Sequence, residues 1–361
     1  MALRVVQWAT GPVGAILLRE IIENPQFELA GVFVYNPDKA GKDAGELIGL
    51  APTGVITTAD KAAILATDAD LVLHAASKAH CFDQNTEDII ALLDSGKNVI
   101  TTTSYVHLGI LDKHVEERVK AACERRGVHF HGAGEHPGWV FERLAVTLTA
   151  VSQRVDRIIM RQFVDCARVP ERRMLVDLMG MGKLPGEIND SSPTFRAVAT
   201  QTEQAIAAAA ELMGLVYDEI RHTVETATID HDLELVAATL PAGTVVGQIL
   251  SFSAWKDGKP VLTAEDYWTC TPDIPQWDIE LKGHKVTLDV EGVPNLSVEL
   301  DIDISPVLEF GGASGGYVAV AMAAIRAIPE VLAAKPGVVV PTVFGAYRFA
   351  PHRPDGEEQM P

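Results

Sequence analysis

The chain lacks several features that would assign it to well-marked protein classes. Its 361 residues hold four cysteines, Cys81, Cys123, Cys166 and Cys270, none near another and none in a CxxC or Cys/His pattern. That excludes a disulfide framework or a zinc module, and free thiols in a reducing cytosol are expected. No grouping of His, Cys, Asp and Glu has metal-ligand spacing, so no metal is expected. Basic residues are scarce, with 30 Lys and Arg against 49 Asp and Glu, a formal charge of -19. This balance excludes nucleic acid and anionic membrane surfaces as partners, and an anionic ligand must be held by local groups. The N-terminus reads as a strand and not as a leader, and no apolar run reads as long enough to span a bilayer, so a soluble cytoplasmic protein is expected. There is no internal repeat. With 47% hydrophobic and 22% charged residues the chain is a folded globular protein, and its length suggests two domains.

What is present begins with Leu3 to Ile22, LRVVQWATGPVGAILLREII. A short apolar strand runs into the turn Ala9, Thr10, Gly11, Pro12, Val13, Gly14, and Ile16, Leu17, Leu18, Ile21 and Ile22 then recur at helical spacing. A dinucleotide pyrophosphate needs bare backbone N–H groups at a helix N-terminus. Gly11 permits close phosphate approach and Gly14 permits close helix–strand packing. Alanine stands where the first glycine of this pattern is usual, and Ala9 is tolerable there only with negative φ.

A second strand, Phe27 to Tyr35, ends in Asn36-Pro37-Asp38-Lys39 with no carboxylate to receive the adenosine ribose. Asn36 is placed to bond the ribose and Lys39 to pair with a 2′-phosphate, so the cofactor is NADP or NAD. Short strands follow at 54–58, at 70–77 ending in Ala75, Ala76 and Ser77, at 97–103, and at 128–131. The helices between them span 60–65, 87–94 and 112–126. Strands alternating with helices imply a parallel, doubly wound sheet. After Trp139 the pattern changes. A helix at 142–151, a strand at 157–164, a helix from Gln201 and strands at 219–227, 244–255, 285–292 and 297–302 read as an α+β domain with a largely antiparallel sheet. The run GGASGG at 311–316 reads as a hinge, followed by a helix at 317–334 that returns to the first domain, with Pro329 kinking it. The expected organisation is a Rossmann-type α/β domain over 1–140, a substrate and dimerisation domain over 141–310, the returning helix over 311–345 and a tail over 346–361.

Candidates for proton transfer stand at strand carboxyl ends, beside the nicotinamide. Tyr105 and His107 follow the strand that ends at Thr101, Thr102 and Thr103. Glu135 and His136 lie between Gly134 and Pro137-Gly138, where a backbone bend points them into a cleft, with Glu135 as a candidate general base. In the second domain Trp268, with Asp266 and Tyr267, reads as a wall of a substrate pocket. Trp277 reads as core. The loop Met179-Gly180-Met181-Gly182 either lines that pocket or simply connects.

ATGPVG after an N-terminal strand, FVYNPDKAGK leading into DAGELIGL, the strand ending HAAS, GAGEHPGW, and the C-terminal IRAIPEVLAAKPGV together resemble the dihydrodipicolinate reductase-like superfamily, in its branch of 2,4-diaminopentanoate dehydrogenases and native amine dehydrogenases. The resemblance implies a homodimer and NAD(P)-dependent oxidative deamination or reductive amination of a small, largely apolar amine, imine or carbonyl substrate. It places the pyrophosphate at Gly11 to Gly14, the adenosine ribose at Asn36 and Lys39, and the nicotinamide along Ala76 and Ser77. The chain departs from the branch where a glutamate polarises the amine, reading Thr103-Ser104-Tyr105, and has His136 where asparagine is usual. A carbonyl or C=C reductase, a non-catalytic NAD(P)-binding regulator and a structural dimer with an empty nucleotide fold are the alternatives.

Overall fold

A computed structural model describes the chain except Met1 and residues 78–81, 170, 276, 278–283, 304, 311–312 and 350–361. Cys81, the first two glycines of the 311–316 run and most of the tail lie outside the described residues. The chain divides into Met1–Trp139 with Asp303–Pro341, and Val140–Ile302 with Thr342–Pro361.

In the first unit β1 (Leu3–Trp8), β2 (Phe27–Phe33), β3 (Leu71–His74), β4 (Asn98–Thr101) and β5 (His129–Gly132) form a parallel sheet in the order β5-β4-β3-β1-β2, with the two-residue strand Gly337–Val338 outside β5. The expected strand at 54–58 is reduced to isolated bridges, one of them the parallel Phe33↔Thr58 at the outer edge of β2. Turn bonds absorb its other groups, since Lys42 O accepts from Thr57 N and Asp43 accepts from the N–H groups of Gly45, Thr53 and Gly54. The order reverses between β1 and β3, and ligands of open parallel sheets lie at such a reversal, beyond the strand carboxyl ends.

Helices α1 (Pro12–Glu23), α2 (Lys61–Ala66), α3 (Phe82–Asp94), α4 (Leu108–Leu111) and α5 (Lys113–Arg126) connect the strands. Asp60 caps α2 by accepting from the N–H groups of Ala62 and Ala63, Asp112 caps α5 through His114 and Val115, and Gly127, at φ 66, ends α5. These are the usual signals for starting and stopping a helix. Trp8, Phe33, Val72, Ile89, Leu93 and Phe130 fill one side of the sheet. On the other side Ile16, Leu17 and Ile21 of α1 meet Ala321, Ala324, Ile325 and Ile328 of the helix Gly315–Ala333. Each buried Ile or Leu there contributes roughly 1.5–3 kcal/mol. This helix is long and apolar enough to cross a membrane by length and composition, which corrects the reading that no run reaches that length. Its apolar residues face α1 because it completes this core. Gly315 and Gly316 belong to the helix and Ser314 stands at its N-cap, so this end of the expected hinge is regular structure.

The second unit opens with six residues of π-helix, Val140–Ala145, that run into α6 (Val146–Leu148). Its main sheet contains β6 (Arg154–Asp165) and β7 (Glu219–Thr228). After the small pair β8 (Leu233–Glu234) and β9 (Thr239–Leu240) come β10 (Val245–Lys256), β11 (Lys259–Thr269), β12 (His284–Val293) and β13 (Leu296–Ile302), in the sheet order β13-β12-β6-β11-β10-β7. Every pair is antiparallel except β11 with β6. α7 (Pro193–Leu212), capped by Ser192, lies on one face of this sheet, where Phe195 packs on Phe252 and Thr202 meets Asp266.

Candidate functional site

The turn after β1 is built from backbone. Ala9 has φ 72, contrary to the expectation of negative φ. Two bonds hold it in this left-handed conformation: Ala9 N donates to Phe33 O at 2.9 Å, and Ala9 O accepts from Gln7 Nε2 at 2.8 Å. Gln7 is fully buried, and among the described residues no partner is found for its Oε1. A Cβ on Gly14 would stand 2.2 Å from Ala9 O, so only glycine lets α1 approach β1 this closely. A Cβ on Gly11 would meet nothing within 4 Å. Gly11 is the N-cap of α1 with no side-chain cap, Pro12 supplies no N–H, and the first turn has no acid. The helix therefore ends in open space with Val13 and Gly14 N–H groups that have no intrahelical acceptor. A pyrophosphate fits this cradle, because its charge meets the positive end of the helix dipole and no side chain fills the approach.

Lys39 Nζ donates to Thr10 O at 2.8 Å and lies 3.4 Å from Thr10 Oγ1. This brings the cation onto the same turn. Asn36 is exposed and caps residues 37–39 by accepting from Asp38 N. Ala76 is buried and Ser77 exposed just beyond β3, and Ser77 O accepts from Asn85 Nδ2 at 3.0 Å. Thr102 is buried, its N–H bonded to His74 O.

The turn after β4 is filled by side chains. Tyr105 is 1% exposed, its hydroxyl 2.8 Å from Thr86 Oγ1 and its ring edge-on to Phe130. Burial pushes its hydroxyl well above the ordinary phenol range. These surroundings are those of a core tyrosine. His107 caps α4, its Nδ1 accepting from Ile110 N. His74 is fully buried, with Nδ1 2.9 Å from Thr101 Oγ1, and Thr101 Oγ1 lies 2.7 Å from Thr103 Oγ1. Burial pulls the His74 imidazole down to about 4, so it is neutral near pH 7.

After β5, Glu135 is buried, 6% exposed, while His136 is half-buried at a cis bond to Pro137. Gly134 is required at this bend, since a Cβ there would stand 2.3 Å from Pro137 O.

In the second unit Met179 and Trp268 pack into one apolar cluster with Trp277. The Met179 loop is anchored, its carbonyl accepting from Gln248 Nε2 at 2.7 Å. Two buried acids stand on this unit: Glu142, which escaped the sequence reading, and Asp266, which that reading placed beside Trp268. Glu142 is 2% exposed in the π-helix, a form of helix that recurs at functional sites. Asp266 is 4% exposed on β11, and Thr202 Oγ1 donates to it at 3.4 Å. Burial pushes the Asp266 carboxyl up to about 7. Among the described residues no group of three His, Cys, Asp or Glu is placed to hold a metal ion.

Comparison with known proteins shows the family and the fold. The dihydrodipicolinate reductase N-terminus family matches residues 5–131, and the 2,4-diaminopentanoate dehydrogenase C-terminal domain family matches residues 139–343. An amine dehydrogenase of Streptomyces virginiae is 28% identical over 346 residues, covering 92% of this chain and 93% of that protein. The structure of an amine dehydrogenase from Mycobacterium smegmatis superposes with a TM-score of 0.74 at 19% identity, covering 97% of this chain and 98% of that one. A biliverdin reductase of Synechocystis, in complex with biliverdin and NADP+, shares the fold with a TM-score of 0.50 at 11% identity over 91% of each chain.

Proposed function

The chain belongs to the 2,4-diaminopentanoate dehydrogenase C-terminal domain family, and from that premise we propose that it interconverts a small, largely apolar amine with the corresponding imine and carbonyl compound. It is an NAD(P)-dependent oxidoreductase. The observation that carries the reading is the turn Ala9–Gly14, open at Gly11 and closed on Ala9 at Gly14. A bound reduced nicotinamide supplies the hydride. The residues of this chain hold and orient the cofactor: Gly11, Val13 and Gly14 receive the pyrophosphate on backbone N–H groups, Asn36 faces the ribose, and Ala76 and Ser77 border the nicotinamide half. Lys39 stands on the phosphate turn and favours NADP through a 2′-phosphate. Glu135, buried at the end of β5, is the carboxyl that handles the proton; Tyr105 and His107 serve the core and a helix cap.

In reductive amination one carbonyl compound, one ammonia, one hydride and one proton give one amine and one water. The test is oxidation of NADPH and NADH, followed by absorbance, with a panel of aliphatic ketones and aldehydes in the presence and absence of ammonium. Turnover that requires ammonium is the expected result. Turnover equal without ammonium makes the enzyme a carbonyl reductase, and cofactor binding without turnover of any substrate makes it a regulator.

The reading includes a homodimer. α7 covers one face of the main sheet in the second unit. The opposite face carries Arg161, Phe163, Glu265 and Tyr267, half-exposed and paired among themselves, with Arg161 3.0 Å from Glu265 and the Phe163 and Tyr267 rings 4.7 Å apart. A second copy is the occupant that fits such a face, and sedimentation at micromolar concentration tests it.

A further inference from the structure

Asp266 sits among side chains that leave it almost without a donor. In the sheet register it stands on β11 between Leu250 of β10 and Gln162 of β6, and residues level with one another in a sheet share a face. That face is the one α7 covers, since Thr202 meets Asp266 and Phe195 packs on Phe252. Gln162 spends its amide nitrogen on His284, Nε2 to Nε2 at 2.6 Å. Gln248 lies on the same face, opposite Trp268 and one diagonal step from Asp266, a spacing that long side chains bridge. Its Nε2 donates to Met179 O at 2.7 Å, which identifies the other end of the amide as the oxygen. Among the described residues no donor reaches that Oε1, although Gln248 is fully buried.

Two buried acceptors thus stand on adjacent strands. One is a carboxylate, 4% exposed, with a single long bond at 3.4 Å, and the other is an amide oxygen with none among the described residues. Neither supplies a proton to the other while the carboxyl is ionised. Buried acceptors without donors cost stability, a charged one most of all, so the fold alone gives no reason to keep the pair. Trp268, opposite Gln248 and two residues from Asp266, adds an indole to the same face. A carboxylate, an amide oxygen and an aromatic ring are complementary to a cation with several N–H donors.

We propose that Asp266 and Gln248 Oε1 form a subsite for an ammonium group of the substrate, with Trp268 as its wall. The inference rests on the amine reading above and gives it a means of recognition. Asp266 supplies the counter-charge, and Gln248, tied to the Met179 loop, supplies the second acceptor. An alcohol brings one donor and no charge, so the subsite discriminates against it.

The experiment is isothermal titration calorimetry of wild type, Asp266→Asn and Gln248→Met with n-pentylamine and 1-pentanol, at about pH 8.5, where a carboxyl raised to about 7 is ionised and the amine is protonated. Asp266→Asn keeps the shape of the side chain and removes its charge. It is expected to weaken pentylamine about 10- to 100-fold, the range for hydrogen bonds to a charged group, and Gln248→Met to weaken it about 2- to 10-fold. Pentanol affinity stays as in wild type. Asp266→Ser replaces the asparagine variant if that variant loses its cooperative melt. The proposal is overturned, with the amine reading left standing, if the Asp266 variant binds pentylamine as wild type does or loses pentanol by the same factor. Failure of wild type to bind pentylamine overturns the amine reading itself, and this proposal with it.

Discussion

The two units hold their buried ionisable groups differently. In the first, Tyr105 is bonded to Thr86, Asp88 to Tyr35 and Lys61, and His74 through Nδ1 to Thr101, although His74 Nε2 and Gln7 Oε1 find no partner among the described residues. What that unit leaves open is bare backbone at Gly11, where an added Cβ would meet nothing within 4 Å. In the second unit Asp266 lies equally deep with one long bond to Thr202. A paired group costs little to keep buried. A nearly unpaired carboxylate is costly to keep charged, so its protonation is coupled to the fold.

The largest expected effect sharpens that contrast. The folded Asp266 value of about 7 lies above its ordinary 3.8, so the folded chain keeps a proton that the unfolded chain releases. The contribution of this group is most favourable below about pH 4 and becomes less favourable up to about pH 7, by on the order of 4 kcal/mol. Asp266→Asn removes that part of the slope, as denaturant melts across this pH range will show; superimposable profiles would mean that the second unit hides a partner for Asp266.

Next come the two glycines of the phosphate turn. Gly14→Ala drives a methyl into Ala9 O and costs about 3 kcal/mol of stability, read from melts. Gly11→Ala points into open space, so its melt is unchanged, while affinity for NADPH and NADH falls by on the order of tenfold or more, as a methyl meets the phosphate. Equal behaviour of the two variants would erase the distinction between a packing glycine and a binding glycine.

Tyr105→Phe loses its bond to Thr86 and about 1 kcal/mol of stability, with turnover retained once a substrate is found. A loss of turnover without loss of stability would return Tyr105 to the catalytic site. The smallest effect has the opposite sign. Ala9→Gly relieves a left-handed alanine and gains up to about 1 kcal/mol, measured against the same melts.

Much of the first unit was legible in the sequence because its signals are local. The glycine spacing of 11 and 14, the apolar helix that follows, and the strand–helix alternation each lie within a short window. The conformation of Ala9 was not legible, because a buried glutamine two residues earlier and the carbonyl of Phe33 enforce it. The strand Lys259–Thr269 was not legible, because its pairing with β6 and β10 on both sides comes from elements distant in sequence. Tyr105 reads as catalytic by its place at a strand end, and its contacts with Thr86 and Phe130 come from elements distant in sequence. Asp266 and Glu142 carry no local signal, since their burial comes from elements distant in sequence. The His74 network was invisible for the same reason: His74 and Thr101 are 27 residues apart and meet only through strand register.

The central claim is that the turn Ala9–Gly14 binds a nicotinamide dinucleotide. Fluorescence titration of wild type and Gly11→Ala with NADPH and NADH, with melting curves of both proteins alongside, tests it most directly. Saturable binding by wild type that the Gly11 variant weakens, at unchanged melting temperature, is the result the account predicts. Absence of binding by wild type, or binding that a methyl at Gly11 leaves untouched, would contradict it.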